Sequence, residues 1–320
     1  MNKATKHKKL LNISKPARYI GGEMNSFLRT KPDCLDFCLI FPDIYEIGSS
    51  HVGFRLLYDL VNRSNTVYCQ RFFAPWPDAL EYFGTDIFCS LEENKPLKDF
   101  DVLGFSMHYE MCYTTVLAIL KHSNIPLYSK DRTDEYPIVI AGGSCTYNPA
   151  PMSKFIDAFY IGEGDVNLRN ILEGIKQLKD ENATRLDILK YLNTFSFMYV
   201  PQIDANKITT KDTYLEFSSS EGCKTPFVPL MQAVQDRVAV EIARGCTAGC
   251  RFCQAGIIYR PVRERSVDLI VKDACEQINA TGHQEVSLLS LSTGDFSQLE
   301  QLVIYLNSIL NHKHVSLYKP

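Results

Sequence analysis

Apolar positions along this chain alternate between two rhythms. Leu35-Asp-Phe-Cys-Leu-Ile-Phe41 is a compact apolar run of strand length. After a loop, the residues from about Val52 to Asn62 place Phe54, Leu57, Leu60 and Val61 on one helical face. Val67 to Arg71 and Ile87 to Ser90 predict two short strands, with Trp76-Pro77 in the turn between them. Val102 to Ser106 predicts a fourth strand, and a helix follows from about Tyr113 to His122 with Val116, Leu117 and Leu120 inward. Ser123-Asn124-Ile125-Pro126 stops that helix. Ile138–Ala141 and Ala158–Ile161 complete the series. Strands separated by helices predict an α/β fold, here a Rossmann-like, doubly wound parallel sheet over residues 35–165 behind a tail and lead-in at 1–34.

The pattern then changes. Val166 to about Lys179 predicts a helix with Leu168, Ile171, Leu172, Ile175 and Leu178 on one side, ended by Lys179-Asp-Glu-Asn182. This helix and a Ser/Thr-rich connector with short strands near Phe197–Pro201 fill residues 166–235. A second α/β segment occupies 236–320. It reads as strand Val238–Ala243, a loop, helix Val267–Ala280, strand Val286–Leu291, helix Leu299–Leu310 and strand Val315–Tyr318. Ser266 suits the N-cap of the first of these helices and Gly282 its C-terminal stop.

Bulk composition narrows the function classes. A hydrophobic content of 45% with 22% charged residues is that of an ordinary globular chain of 320 residues, long enough for about two domains. A net charge of −3 gives no reason to expect a general polyanion binder. No apolar run approaches the roughly 18 residues that span a bilayer, so no membrane is expected. Met1 to Lys15 carries five lysines and no acid, without the apolar stretch of a signal peptide, and reads as a solvated tail. Eleven cysteines without a paired framework point to a reducing cytoplasm.

Three of those cysteines carry the chemistry. Cys246, Cys250 and Cys253 stand in a C-x3-C-x2-C spacing within Arg244-Gly-Cys-Thr-Ala-Gly-Cys-Arg-Phe-Cys-Gln-Ala-Gly256, directly after an apolar strand. A [4Fe–4S] cluster normally takes four thiolates, so three leave one iron open to a small molecule. A zinc site would more often show paired C-x2-C knuckles and a fourth ligand, and Cys223 and Cys275 are each isolated. Cys34, Cys38, Cys89 and Cys112 lie in apolar runs and read as inert thiols.

The triplet resembles that of the radical S-adenosylmethionine (radical SAM) enzymes. The run Tyr259-Arg-Pro-Val-Arg-Glu-Arg265 and the earlier Tyr45-Glu-Ile-Gly48 are similar to motifs of a family that joins an N-terminal cobalamin-binding-like domain to a radical SAM domain. The resemblance implies that the three thiolates hold the cluster, that S-adenosylmethionine is cleaved reductively to a 5′-deoxyadenosyl radical, and that Phe252 lies against the adenine. It further implies that Ser292, Thr293 and Asp295, standing where the family has a Gly-Gly-Glu run, grip the methionine end. Arg244, Arg251, Arg260, Arg263 and Arg265 gather near the loop, either to pair with a carboxylate or phosphate of the substrate or only to make salt bridges. A reducing partner such as flavodoxin or ferredoxin is implied as well, with the substrate open.

In the first domain, loops at Asp43–Gly48, Ser106–Glu110, Ala141–Ser144 and Gly162–Asp165 leave the carboxyl ends of strands, where such sheets bind ligands. They resemble the cobalamin-binding domain, whose first loop reads D-x-H-x-x-G. Asp43 and Gly48 match its outer positions, Ser106 its later serine loop, and Gly142 and Gly143 its last glycines. Tyr45 stands where that family has its cobalt-ligating His, and tyrosine is a poor ligand beside a neutral imidazole. Any cobalamin here is therefore expected to lack a protein imidazole on cobalt. His51 reads as a helix-start residue, while His108 and Glu110 either line the pocket or are solvated. The alternative is a scaffold that keeps its glycine turns without a ligand.

A radical SAM core is a partial (β/α) barrel of about six units, roughly 200 residues by analogy with a full barrel. Only 83 residues run from Val238 to Pro320, enough for the first part of such a barrel. Three expectations stay open: a fragment, a second polypeptide that completes the barrel, or a non-catalytic module binding a cluster or corrinoid.

Overall fold

The computed structural model describes residues 8–30, 32–220 and 222–318. They form two compact units. One takes the chain up to Thr213 together with Pro229–Ala233, and the other takes Tyr214–Val228 with the chain from Val234 onward.

The first unit is built on a six-stranded sheet in the order β2-β1-β3-β4-β5-β6. Its strands are β1 (Leu35–Phe41), β2 (Val67–Phe73), β3 (Val102–Ser106), β4 (Ile138–Gly142), β5 (Ala158–Tyr160) and β6 (Met198–Tyr199). The first five are parallel and β6 closes the edge antiparallel to β5. Strands buried on both faces read as continuous apolar runs, and β1 and β2 are buried along nearly their whole length. Helices α1 (Val52–Asn62) and α4 (Gly164–Asp180) pack together against β1 and β2. The other face carries Ile40, Phe72, Leu103, Phe105 and Val139, covered by α2 (Pro77–Phe83) and α3 (Tyr113–His122) through Ala79, Phe83, Val116, Ile119 and Leu120.

Two stretches differ from the sequence expectation. Ile87–Ser90 is no strand: Gly84–Ile87 forms a 3₁₀ turn and Cys89 makes only an isolated bridge to Pro96. The chain reverses there at Asn94, whose φ is +56°, because the segment serves to cap the edge of β2. Within the expected connector, Arg185–Thr194 is a helix, α5, started by a capping box between Thr184 and Asp187. Arg185, Asp187 and Lys190, set around its buried Ile188, Leu189 and Leu192, masked its period. The lead-in is packed from Leu10 on, with Leu10, Ile13 and Tyr19 buried, and Ser14 bonds Asp78. The part of the expected solvated tail at residues 1–7 lies outside the described residues.

Strand β2 is an exposed edge by topology, and the chain covers it with a buried charge. The Arg71 side chain, 0% exposed, donates from Nη2 to Glu23 at 2.9 Å and from Nε to Glu92 at 2.6 Å, and its guanidinium lies 4.6 Å from the Tyr58 ring centre. Burial alone would lower the pKa of Arg71, but Glu92 and Glu23 hold it raised. The backbone follows the side chain: Leu91 donates its N–H to the Arg71 carbonyl, and Glu92 accepts the Arg71 N–H. Residues 91 and 92 thereby seal an edge that would otherwise offer unpaired backbone groups.

The second unit is a three-stranded parallel sheet in the order β11-β10-β7, with β7 (Val238–Glu241), β10 (Glu285–Leu289) and β11 (Ser316–Tyr318). Helices α6 (Val267–Thr281) and α7 (Leu299–Leu310) connect them, so consecutive βα units lie side by side as at the start of a (β/α) barrel. Val238, Val240, Val286 and Leu288 face the helices, against Ile270, Ala274, Leu302 and Leu306. Ser266 caps α6 by accepting the Leu269 N–H, and Gly282 ends it in the left-handed conformation, as the sequence predicts. The expected strand 238–243 breaks at Ile242, because Ala243–Arg244 (β8) leaves to pair antiparallel with Arg263–Glu264 (β9). Among the described residues no helix is long and apolar enough to cross a membrane.

Removing one partner of a buried ion pair costs about 3–5 kcal/mol, since the other charges are left uncompensated. Arg71→Met should lower the unfolding free energy of the first unit, read by urea titration, by that order, and adding Glu23→Gln should recover part of the loss.

Candidate functional site

The three cysteines lie on one loop, residues 245–262, closed at its base by the β8–β9 ladder (Ala243 opposite Glu264, Arg244 opposite Arg263). Arginines staple that base from inside. Arg263 is buried and donates to the carbonyls of Pro261, Tyr214 and Tyr259 at 3.0, 2.9 and 3.3 Å. Arg265 bonds the Glu241 and Ser220 carbonyls and the Asp273 carboxylate, the last at 2.6 Å. Arg244 meets both oxygens of Glu241 at 2.9 and 2.8 Å and lies 4.6 Å from the Phe217 ring centre. Arg244, Arg263 and Arg265 are thus bound to the protein itself, and Arg251 is exposed.

Glycine sets the path of the loop. Gly245 has φ +84°, and a Cβ there would stand 2.7 Å from the Pro261 carbonyl oxygen and 2.8 Å from that of Tyr259. Gly249 has φ +65°. Neither conformation suits a residue with a Cβ. Between and after them, Cys246 and Cys253 are half-buried and Cys250 is exposed. All three thiols are free, and the Ala248 N–H points at Cys246 Sγ at 3.5 Å. Among the described residues no three Cys, His, Asp or Glu side chains converge as a ready-made ion site. What the loop offers is a donor set: three thiols, one short segment and open access. That chemistry fits an iron–sulfur cluster, and neither Cys223, which is buried, nor Cys275 on α6 joins the loop.

The residues expected to face S-adenosylmethionine lie at the same edge of the same sheet. Leu289 pairs with Glu241, and Ile242 donates its N–H to the Leu289 carbonyl at 2.9 Å. The cysteine loop and the 290–297 loop therefore leave adjacent strands at one level. Ser292 and Thr293 are half-buried, Asp295 is exposed, and Thr293–Asp295 forms a 3₁₀ turn. Phe252 is 92% exposed. The sequence reading missed Glu264, which accepts from both the N–H (2.8 Å) and the hydroxyl of Ser297 and so ties the base of the cysteine loop to the neighbouring loop.

In the first unit, sheet order reverses between β1 and β3, and the loops after those strands flank the crevice. Asp43 accepts the Ile44 N–H at 2.7 Å and the Tyr109 hydroxyl. Tyr45–Gly48 is a single helical turn. Tyr45 is 1% exposed, and its hydroxyl donates to Glu23 at 3.1 Å and accepts the Leu230 N–H at 3.2 Å. Ser106 Oγ lies 2.9 Å from His108 Nε2. His51 caps α1 through Nδ1 as its position predicts, and its ring centre lies 4.1 Å from that of His108. Gly142 accepts the Met107 N–H at 2.7 Å. A Cβ on Gly143 would meet the Met107 carbonyl oxygen at 2.4 Å. Glu110 is exposed.

Residues 53–201 match the family described as radical SAM proteins, N-terminal. Over 232 residues the chain is 28% identical to an uncharacterized protein of Methanocaldococcus jannaschii, covering 69% of this chain and 45% of that one. The fold is similar to TsrM, a radical S-adenosylmethionine methyltransferase from Kitasatospora setae. With cobalamin and a [4Fe–4S] cluster bound, that structure gives a TM-score of 0.54 at 10% identity over 89% of this chain and 54% of TsrM. With tryptophan substrate and the SAM analogue aza-SAM, the values are 0.52, 11%, 88% and 54%. The chain spans about half the length of these relatives.

The stacked histidines give the first unit a pH signature. Burial pushes His51 down to about 3, with His108 adding to the effect, and burial pushes His108 down to about 4. Both lie below the unfolded value of about 6.5, so the unfolded chain takes up protons first as pH falls. The stabilisation is complete above about pH 6.5 and erodes from there towards pH 4 and 3. Urea unfolding of the first unit should lose on the order of 2 kcal/mol per ring between about pH 7.5 and pH 5. His108→Phe should flatten that profile.

Proposed function

We propose that this chain, a radical SAM family protein with a cobalamin-binding-like N-terminal region, forms the cluster-bearing part of an enzyme that cleaves S-adenosylmethionine reductively. One observation carries this reading. Three free thiols stand on a stapled loop after β7, while hydroxyl and carboxylate side chains stand on the loop after β10, at the same sheet edge.

Cys246, Cys250 and Cys253 would hold a [4Fe–4S] cluster. When bound, such a cluster supplies one electron to the sulfonium, which parts into methionine and a 5′-deoxyadenosyl radical able to take a hydrogen atom from substrate. The remaining work falls to the chain. Ser292, Thr293 and Asp295 offer the acceptors that a methionine ammonium needs, and Phe252 offers an aromatic face to adenine. Exposed Ile257 and Leu291, with Phe252, supply apolar surface at this edge that keeps water from the site once it is occupied. Glu264 fixes the two loops to each other, so that both ends of one cofactor meet groups at a set distance. The electron comes from a low-potential donor such as flavodoxin or ferredoxin.

Iron and sulfide counts after anaerobic reconstitution test the donor set. About four of each per chain are expected. Cys246→Ala, Cys250→Ala and Cys253→Ala should each lose most of both, while Cys223→Ala and Cys275→Ala keep them. Zinc in place of iron, or iron retained by all three loop variants, would overturn the assignment.

A further inference from the structure

We infer that the β1/β3 crevice of the first unit is filled by the protein's own side chains and takes no corrinoid, and that Tyr45 has become a latch for the segment Pro229–Ala233. The inference stands apart from the cluster assignment, since every residue in it belongs to the other unit.

Asp43, Tyr45, Gly48, Ser106 and Gly143, which match the cobalamin-binding motif, each have another occupation in the fold, while the space beside Gly142 is open. A carboxylate beside a metal-ligating imidazole normally accepts its second ring N–H and so orients it. Asp43 is instead held by the hydroxyl of Tyr109. That bond runs from the loop after β1 to the loop after β3, across the switch point through which a nucleotide-like tail would have to enter. The residue at the ligand position, Tyr45, packs against the end of β2 instead. Its ring packs edge-on against Phe73 at 5.2 Å, and its hydroxyl joins Glu23, which itself holds Arg71. Burial, with Glu23 beside it, raises the Tyr45 pKa, so the phenol remains a neutral donor.

Two of the three motif glycines have been put to the same use. A Cβ on Gly48 would lie 2.5 Å from the Phe73 ring and 2.9 Å from Phe41 Cβ, so its missing side chain makes room for phenylalanine. The missing side chain of Gly143 makes room for the Met107 carbonyl. Three rings then fill the space between the strand ends: Phe41 from β1, His51 at the start of α1 and His108 after β3. Their centres lie 5.4 Å (Phe41–His51), 5.9 Å (Phe41–His108) and 4.1 Å (His51–His108) apart. Ser106 is bonded to the last of them. A corrinoid tail entering here would have to break the Asp43–Tyr109 bond and unstack both imidazoles. The Leu230 N–H on the Tyr45 hydroxyl gives the displaced residue its present task, which is to hold 229–233 on the first unit.

The test uses the full chain with its cluster reconstituted, exposed anaerobically to hydroxocobalamin and then desalted. Corrinoid is read by its visible absorbance and cobalt content, and cluster by iron. No retained cobalt and an unchanged unfolding midpoint are expected, because a ligand that binds only the folded state would raise that midpoint. Tyr45→His, which restores the motif's letters, should retain no cobalt either. Tyr45→Phe should increase proteolytic cleavage between Thr225 and Gln235 while leaving iron content unchanged. One cobalt per wild-type chain, or one gained by Tyr45→His alone, would overturn the inference. Loss of iron without cobalt uptake would count against the cluster reading only.

Discussion

Everything proposed for the second unit rests on how an 18-residue excursion is closed. A loop of that length that kept its ends free would scatter three thiols over many positions, and the entropy of gathering them would fall on the metal. Here two residue pairs of antiparallel ladder and the buried Arg263 close it first. Arg263 is placed to satisfy carbonyls that a short irregular loop cannot pair by itself. The glycines at 245 and 249 then let the chain turn where a side chain would collide with the closing strand. The ladder, Arg263 and the two glycines together fix the backbone that carries the three thiols.

The first unit uses the same physics to the opposite end. A doubly wound sheet presents loops at its strand ends whether or not a ligand comes, and the crevice between β1 and β3 follows from strand order alone. Polar groups that become buried in such a crevice need partners, since leaving them unpaired costs stability. Phe41, His51, His108 and the Asp43–Tyr109 bond fill the crevice. Fold-level likeness to a cobalamin-bearing enzyme describes the frame and leaves the contents to the side chains.

Much of this was readable in the sequence where period and punctuation agreed. The apolar runs of β1 and β3, the helices at 52–62, 113–122 and 299–310, and the caps at Ser266 and Gly282 all emerge where pattern and turn residues predict them. Apart from helix α5, the misses share one cause, which is that their determinants are far apart in the chain. Helix α5 hides its apolar face among charges. The β8–β9 ladder depends on Arg244 meeting Arg263, and no local rule couples them. Glu264 reads as a surface charge until Ser297 is brought to it. In the first loop, spacing marked Asp43 and Gly48 as positions of the cobalamin-binding motif. It could not say that their partners would be Tyr109 and Phe73 in place of a ligand.

The central claim is that the cysteine loop and the 290–297 loop form one cofactor site. Electron paramagnetic resonance of the anaerobically reconstituted, reduced protein, recorded with and without S-adenosylmethionine, tests it most directly. The account predicts a reduced-cluster signal whose g-values shift when S-adenosylmethionine is added, because an iron without a protein thiolate is open to it. A reduced cluster whose spectrum ignores S-adenosylmethionine would contradict the account.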